Sequence, residues 1–297
     1  MARRTCRVAI AIPTYNRDKV LIDSIHDALR QEPGADEVIV IDQSDSHSPE
    51  VQAELDHLHS AGQIRYLRQF PANLPAARNR ALRETTCDVV IFIDDDVRLE
   101  AGFVAAHRRN YEEEESLSAV AGRVEQRLGW PQRKNKGSWR PELDYWYLSL
   151  DGKERKEGIG NFIGANHSVK VAQVLNLGGY DERFRGAMRE ESDLALRIYL
   201  QGGKIVFDPS ASLYHLSAPS GGCRTRNNFD MATANGMLLF AFKHLKALRT
   251  SAWREVWTAF RHSVIHRSTI KYPHRIPILC LLFIYALARN LILGLRN

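Results

Sequence analysis

Cysteine is scarce: four residues in 297, at Cys6, Cys87, Cys223 and Cys280, with no CxxC pair. That spacing argues against a zinc site and a disulfide framework and suits a reducing compartment. Glycine is missing where a phosphate-cradling loop would need it. The segment that closes the first apolar run, Pro13-Thr14-Tyr15-Asn16-Arg17, contains none, so a glycine-rich phosphate loop is not expected there. The basic start, Met-Ala-Arg-Arg-Thr-Cys-Arg, is followed by an apolar run too short for a signal peptide. Internal repeats and low-complexity segments are absent. Acid is almost absent from the C-terminal stretch. From Gly236 to Asn297 there are ten Lys/Arg and one acid, Glu255. That stretch carries a net +9 of the chain's +6, which leaves −3 on the remainder. A nucleic-acid partner is not expected, because no recognition module is visible and the basic residues alternate with an apolar pattern.

What is present is ordinary globular composition, 44% hydrophobic and 26% charged, enough for one sizeable domain and a tail. The chain is organised around Val89-Val90-Ile91-Phe92-Ile93-Asp94-Asp95-Asp96. Five apolar residues, four of them β-branched, predict a buried parallel strand. Such a strand cannot hold three acids in its middle, so they belong at its end. Side chains alternate along an extended chain, placing Asp94 and Asp96 on one side and Asp95 on the other. Like charges this close need a cation, and oxygen ligands suit Mg²⁺ or Mn²⁺. The bland alternative is an acidic turn capping the next helix.

The pattern repeats upstream. Arg7–Ile12, Glu37–Asp42 and Ile64–Leu67 predict strands, while 18–29, 49–59 and 76–83 predict helices. Four strand–helix alternations predict a parallel α/β sheet, whose ligands bind at the carboxyl ends of the strands. Pro13 to Arg17, Asp42 and Asp94 to Asp96 all lie at such ends. Further on come a helix over 102–115, a strand over 120–124 and a polar stretch, 129–158, with Trp130, Trp139, Tyr145, Trp146 and Tyr147. Those aromatics suit either sugar stacking or a local mini-core. Helices follow at 171–177 and from Glu190, then extended pieces at 204–208 and 213–215. A Ser/Gly/Pro loop with Arg224 and Arg226 completes this part.

The ordered set of motifs resembles the family-2 glycosyltransferases of the GT-A fold. The matches are Ile12-Pro13-Thr14-Tyr15-Asn16-Arg17, Asp42, Ala77-Arg78-Asn79, Asp94 to Asp96 and Gly164-Ala165-Asn166. Gly178-Gly179-Tyr180-Asp181, the acidic pair before Asp193-Leu194, and His215 complete the set. The resemblance implies an α/β GT-A fold, a Rossmann-like, mainly parallel sheet flanked by helices. It implies inverting transfer of a sugar from a UDP- or dTDP-sugar. Donor contacts would come from Pro13, Thr14, Tyr15, Arg17, Asp42, Arg78, Asn79, Asp94, Asp95 and Asn166. Asp96, Asp94 and His215 would hold Mn²⁺ or Mg²⁺. Arg224 and Arg226, on a loop with Gly221-Gly222, would fold over the diphosphate.

Inversion by a single displacement needs one carboxylate to take the acceptor hydroxyl's proton. The family's usual pair is Glu-Asp; this chain has Glu190-Glu191. The base is therefore expected at Glu191, then Glu190, then Asp193. A sugar nucleotidyltransferase on a similar sheet is the competing enzyme class, and a catalytically inactive nucleotide-sugar-binding scaffold the competing non-enzyme. The missing glycine after the first strand counts against the former.

The expected domain division is a catalytic unit over 1–235, with a nucleotide half to about 125 and an acceptor half beyond it, followed by a basic helical extension over 236–297. Met237–Leu248 and the Trp253, Trp257, Phe260 spacing predict amphipathic helices. Ile276–Ala288 is thirteen residues without charge, and Arg289 follows. Basic, Trp-bearing amphipathic helices lie on anionic membrane surfaces. The expectation is peripheral attachment at the cytoplasmic face of the plasma membrane, with a glycan or lipid-linked acceptor of surface polysaccharide assembly. Packing onto the catalytic unit or a homodimer partner is one alternative; a true span, which needs about 20 apolar residues and is interrupted here by Arg289, is the other.

Overall fold

The computed structural model describes residues 5–126, 152–185, 188–222, 229–265 and 272–294. The aromatic stretch from Trp130 to Tyr147 lies outside them, as do Arg224 and Arg226.

The apolar run Val89–Ile93 forms β4, buried along its whole length. β1 (Val8–Thr14) and β2 (Glu37–Asp42) are nearly as apolar and equally enclosed. Strands covered on both faces must be apolar throughout, which is why they carry no alternating polar pattern. β1 lies between β2 and β4, parallel to both, and β3 (Arg65–Arg68) extends the sheet beyond β2. The crossovers are α1 (Lys19–Leu29), α2 (Pro49–Ser60) and α3 (Leu74–Glu84). Each buries one stripe at helical spacing, such as Leu21, Ile25 and Ala28 in α1. Ser48 caps α2, with Pro49 at its first turn.

Beyond β4 the sheet becomes mixed. The chain continues through β5 (Val97–Leu99), α4 (Phe103–Glu113), β6 (Leu117–Gln126), β7 (Lys156–Glu157), β8 (Asn166–Lys170), α5 (Val171–Asn176), α6 (Glu190–Leu200) and β9 (Lys204–His215). The strand order is β3-β2-β1-β4-β8-β6-β9-β5, with β7 beside β9. β8 enters antiparallel between β4 and β6; β9 runs parallel to β6, and β5 closes the edge antiparallel to β9. The parallel arrangement expected from sequence therefore holds through β4 and gives way at β8.

The two extended pieces at 204–208 and 213–215 are one strand. Its register against β6 jumps between Gly122↔Asp208 and Arg123↔Ser212, a large bulge that breaks the apolar pattern. Asp208 holds the bulge, accepting from the Ser210 N–H at 2.9 Å, the Ser210 hydroxyl at 2.5 Å and Asn110 Nδ2 at 2.7 Å.

The helical extension comprises α7 (Phe229–Leu248), α8 (Ala252–Ser263) and α9 (Ile276–Gly294). The boundary expected at 235/236 falls inside α7, so the extension begins no later than Phe229. α8 and α9 pack on α7 through Leu238, Ala259, Phe283 and Ala286. The helix continues past Arg289, the charge that ends the apolar run Ile276–Ala288. Pro273–Ile292 is long and apolar enough to cross a membrane by length and composition, with only 17% of its apolar window buried. Trp253, Trp257, Ile278, Leu281, Ile284 and Tyr285 are exposed.

Asp208 supplies a pH test of the bulge. Burial raises its pKa, but Ser210, Asn110 and Arg109 outweigh that and hold the carboxyl below its ordinary value. A folded-state pKa below the unfolded value of about 4 gives stability that is fully present above pH 4. That stability is lost as pH falls through the folded pKa. Between pH 6 and pH 3 the melting temperature of wild type should drop more steeply than that of Asp208→Asn. The variant should start lower and respond less; parallel curves would assign the acid sensitivity elsewhere.

Candidate active site

Because β1, β2 and β4 are parallel neighbours, their carboxyl ends open on one edge of the sheet. Pro13 to Arg17, Asp42 and the acidic triplet meet there. The alternation expected of the triplet is observed. Asp95 turns inward, accepting from the Thr14 hydroxyl at 2.7 Å and facing Arg17 Nε at 3.4 Å. Asp94 and Asp96 turn the other way, towards His215, whose Nε2 is 3.3 Å from a carboxylate oxygen of each.

The β5–β9 register brings His215 to this place. Val97 pairs with His215, so the last residue of β9 lies beside the residue that follows Asp96. The N–H of Leu216 donates to the Asp96 carbonyl at 2.9 Å and that of Ala218 to its carboxylate at 2.7 Å. Asp94, Asp96 and His215 each offer one ligand atom, all within 4.8 Å of one another. Two carboxylates and an imidazole are a donor set for Mn²⁺ or Mg²⁺. The cluster is already electrostatically tuned. Burial disfavours charge on Asp96, yet His215, the Ala218 N–H and Arg17 hold it below the ordinary carboxylate value. Burial also opposes charge on His215, but the two aspartates raise it to about 9. Asp95, whose burial outweighs Arg17 and Thr14, is pushed up to about 7.

A second acidic group comes from the first turn of α6, where the helix dipole favours negative charge. Glu190 pairs with Arg78 of α3 at 3.0 Å, both 2% exposed. Glu191 is buried beside it, and burial followed by the Glu190 charge drives its pKa well above the ordinary range. Among the described residues, one carboxylate oxygen of Glu190 and one of Glu191 are buried without a hydrogen-bond partner. The Arg78 guanidinium, stacked over Tyr180 at 5.4 Å, also feels the charge of Asp94, which ties the two acidic groups together.

Other expected site residues have different placements. Asp193 is fully buried and occupied by Arg197 at 2.9 Å and by Lys243 and His244 at 2.8 Å each, so it has no oxygen to spare as a base. Asn166 lies inside the sheet, bonded to His107 and to the carbonyls of Arg123 and Ala211. Its amide is saturated, so the expected donor contact is replaced by a structural role. Asn79 fastens α3 to the Tyr180 backbone and Glu182. Asp42 is fully buried, accepting from Tyr66 at 2.6 Å, His47 at 3.1 Å and the Ser44 N–H at 2.8 Å. Pro13 is buried at the end of β1, and Tyr15 is half-buried.

The loop before Arg224 packs on the β1–α1 turn. Gly222 N–H donates to the Tyr15 carbonyl at 2.7 Å, and Arg17 Nη1 donates to the Ser220 carbonyl. Gly221 has a φ of +78°, and a Cβ there would fall 2.2 Å from the Asn16 carbonyl, so glycine is required. His47, Tyr66 and Arg68 around Asp42, and Lys243 and His244 around Asp193, were not singled out from the sequence. His47 lies five residues from Asp42; the others meet partners distant in the chain.

Comparison with known proteins is consistent with this arrangement. The sequence model of the family described as Glycosyl transferase family 2 matches residues 9–172, more than half the chain. A search of curated proteins found no match. Among solved structures, the chain is similar to the mannosyltransferase PcManGT from Pyrobaculum calidifontis, in complex with GDP-Man and Mn²⁺. The TM-score is 0.59 and the identity 18%, over 96% of this chain and 76% of that one. It is also similar to S. aureus TarS 1-349 in complex with UDP-GlcNAc, at TM-score 0.62 and 14% identity over 96% and 80% of the two chains. A third similarity is to GalNAc-T7 with UDP, GalNAc and Mn²⁺, at TM-score 0.64 and 14% identity over 90% and 53%. These likenesses show a shared fold, the GT-A architecture of a mixed sheet with flanking helices.

Removing one member of a buried ion pair leaves an uncompensated charge, at a cost of about 3–5 kcal/mol. Arg78→Met should therefore lower unfolding stability by about that amount, measured by denaturant titration. The double variant Arg78→Met/Glu190→Gln should recover more than half of the loss. Equal stabilities of the single and double variants would show that the pair is not what holds α3 to α6.

Proposed function

The chain belongs to glycosyl transferase family 2 and is a glycosyltransferase, and from that premise we propose that it is an inverting, metal-dependent enzyme. In this reading it moves a sugar from a UDP- or dTDP-sugar to a hydroxyl of a glycan or lipid-linked glycan. The observation that carries the proposal is the pairing of two acidic groups at one sheet edge. Asp94, Asp96 and His215 have the donor atoms and spacing for a divalent cation, and Glu190 and Glu191 stand at the tip of α6.

Asp94, Asp96 and His215 would hold the cation, which when bound would offset the negative charge of a departing diphosphate. Glu191 is the base: burial and the neighbouring Glu190 raise its proton affinity above that of an ordinary carboxylate, which favours taking the proton of an acceptor hydroxyl. It takes the acceptor O–H proton as that oxygen bonds to the anomeric carbon, and the anomeric C–O bond to the diphosphate breaks on the opposite face. Glu190, fixed by Arg78 at 3.0 Å, orients the pair. Arg17 faces Asp95 and Asp96 together and neutralises the inner side of the triplet.

The extension is the membrane-facing part in this reading. α9 leaves Ile278, Leu281, Ile284, Tyr285 and Ile292 exposed, and α8 leaves Trp253 and Trp257. The net +9 of 236–297 fits an anionic bilayer surface. A surface location would bring the site to a lipid-linked acceptor, in surface polysaccharide assembly at the inner face of the plasma membrane.

Thermal shift tests the site. UDP or dTDP with Mn²⁺ should raise the melting temperature of wild type, because a ligand that binds only the folded state stabilises it. Asp96→Ala should lose the metal-dependent part. Glu191→Gln should keep the shift while turnover with a nucleotide-sugar panel falls about 10²–10⁴-fold. Absence of any diphosphate shift in wild type would overturn the donor-site reading, and a shift without turnover would favour a nucleotide-sugar-binding scaffold. Membrane contact is tested by co-sedimentation: vesicles with anionic lipid should retain the full chain, and Trp253→Ser/Trp257→Ser should weaken retention. Equal retention by neutral vesicles would refute the charge argument, and a concentration-dependent dimer without vesicle binding would assign the face to a second copy.

A further inference from the structure

The first turn of α6 carries both proposed catalytic acids, yet its own N-terminus is poorly self-supported. Arg189 is the N-cap at φ +71°, a left-handed conformation that a long side chain rarely adopts, and its side chain makes no capping bond. Such a conformation persists only where the surroundings over-determine it. The surroundings here are α7. Arg189 lies over the Phe240 ring at 4.9 Å. A Cβ on Gly236 would fall 2.3 Å from the Met188 carbonyl oxygen and 2.8 Å from Met188 Cβ, so the α7 backbone presses directly on the turn before Glu190. One helical turn into α6, the fully buried Asp193 takes Lys243 and His244 of α7 at 2.8 Å each. Lys243 also bonds Asp181 at 2.7 Å, and Arg197 donates to the carbonyls of Leu177 and Gly179. Leu196 and Phe184 pack on Leu239 and Phe240. α7 therefore clamps the acid-bearing end of α6 by backbone contact, ring stacking and a buried charge network at once.

We infer that α7 is part of the catalytic apparatus, a brace that fixes Glu190 and Glu191, with Lys243, His244 and Asp193 as positioning residues. The inference rests on the reading of Glu191 and Glu190 as the transferase acids. It goes beyond the family match, which ends at residue 172 and includes neither α6 nor α7. In this inference the buried charge network serves to order the helix end. A misplacement of about 1 Å at reacting groups costs about 10²-fold in rate, so the brace should be visible in turnover before it is visible in binding.

The test uses the full chain with Gly236→Ala, Lys243→Met, His244→Ala and the conservative Lys243→Arg. Three readouts are taken: kcat and donor KM, affinity for UDP with Mn²⁺ by calorimetry, and amide hydrogen exchange over residues 188–196. Gly236→Ala, Lys243→Met and His244→Ala should lower kcat by about 10–100-fold with donor KM and UDP affinity within twofold. They should speed exchange at 190–194 while β1 and β4 keep their protection, and Lys243→Arg should recover most of the turnover. Unchanged kcat and exchange would overturn the brace. Loss of UDP affinity in step with kcat would also overturn it, by showing general unfolding. If Gly236→Ala fails to fold, Lys243→Met against Lys243→Arg decides the matter alone. If wild type transfers no sugar, the functional reading fails on its own, and exchange at 190–194 still upholds or refutes the brace.

Discussion

Of the carboxylates gathered at one sheet edge, all but Glu191 face a cation, and this constraint shapes the rest of the molecule. Arg17 faces Asp95 and Asp96, His215 faces Asp94 and Asp96, and Arg78 faces Glu190. Each cation comes from a different element: the loop after β1, the end of β9 and the interior of α3. Buried charge is tolerated only when paired and hydrogen-bonded. The site therefore exists only where those three elements meet the triplet and the tip of α6.

The sheet divides the work. The parallel half, β3-β2-β1-β4, sets strand ends side by side and delivers the triplet and the β1 loop to one edge. The mixed half brings back residues distant in sequence. β9 returns His215 against β5, and β8, antiparallel to β4, places Gly164 and Ala165 at the same edge. Because β8 runs against β4, the residues that precede it reach the carboxyl ends of the early strands, whereas β9 runs with β6 and delivers His215 there by its own carboxyl end. Asn166 shows the cost of that geometry. Its amide is spent on cross-strand bonds that hold β8 against β6 and β9.

The helical extension is anchored on one side and open on the other. α7 packs on α6 through Leu239 and Phe240 and on α8 and α9 through Leu238 and Ala234. The same helix thus touches the acid-bearing turn and carries the helices whose apolar faces point outward. An apolar face of this size on an ordinary chain demands a partner, and the lipid surface proposed here would lie one helix away from the catalytic acids.

β5, β7 and β8 were not legible in the sequence by itself, whereas β1 to β4, β6, the two ends of β9, most of the helices and the acidic triplet were. These follow from local rules: β-branched runs, helical spacing, and the impossibility of carrying three acids inside a buried strand. Even the opposite facing of Asp95 was legible, because alternation is a property of the extended backbone alone. The family was legible from an ordered set of short motifs, each weak singly. Tertiary structure alone decided which charges meet. The closure of Asp193 by Lys243 and His244 joins residues some fifty positions apart, and the pairing of Arg78 with Glu190 spans 112 positions. No local pattern encodes such contacts. The continuous β9 was hidden by its own bulge, and the saturation of Asn166 by a register that only the folded sheet defines. Local preference fixes where elements begin and what they can bury, but the partner of a buried charge depends on which elements the whole chain brings together.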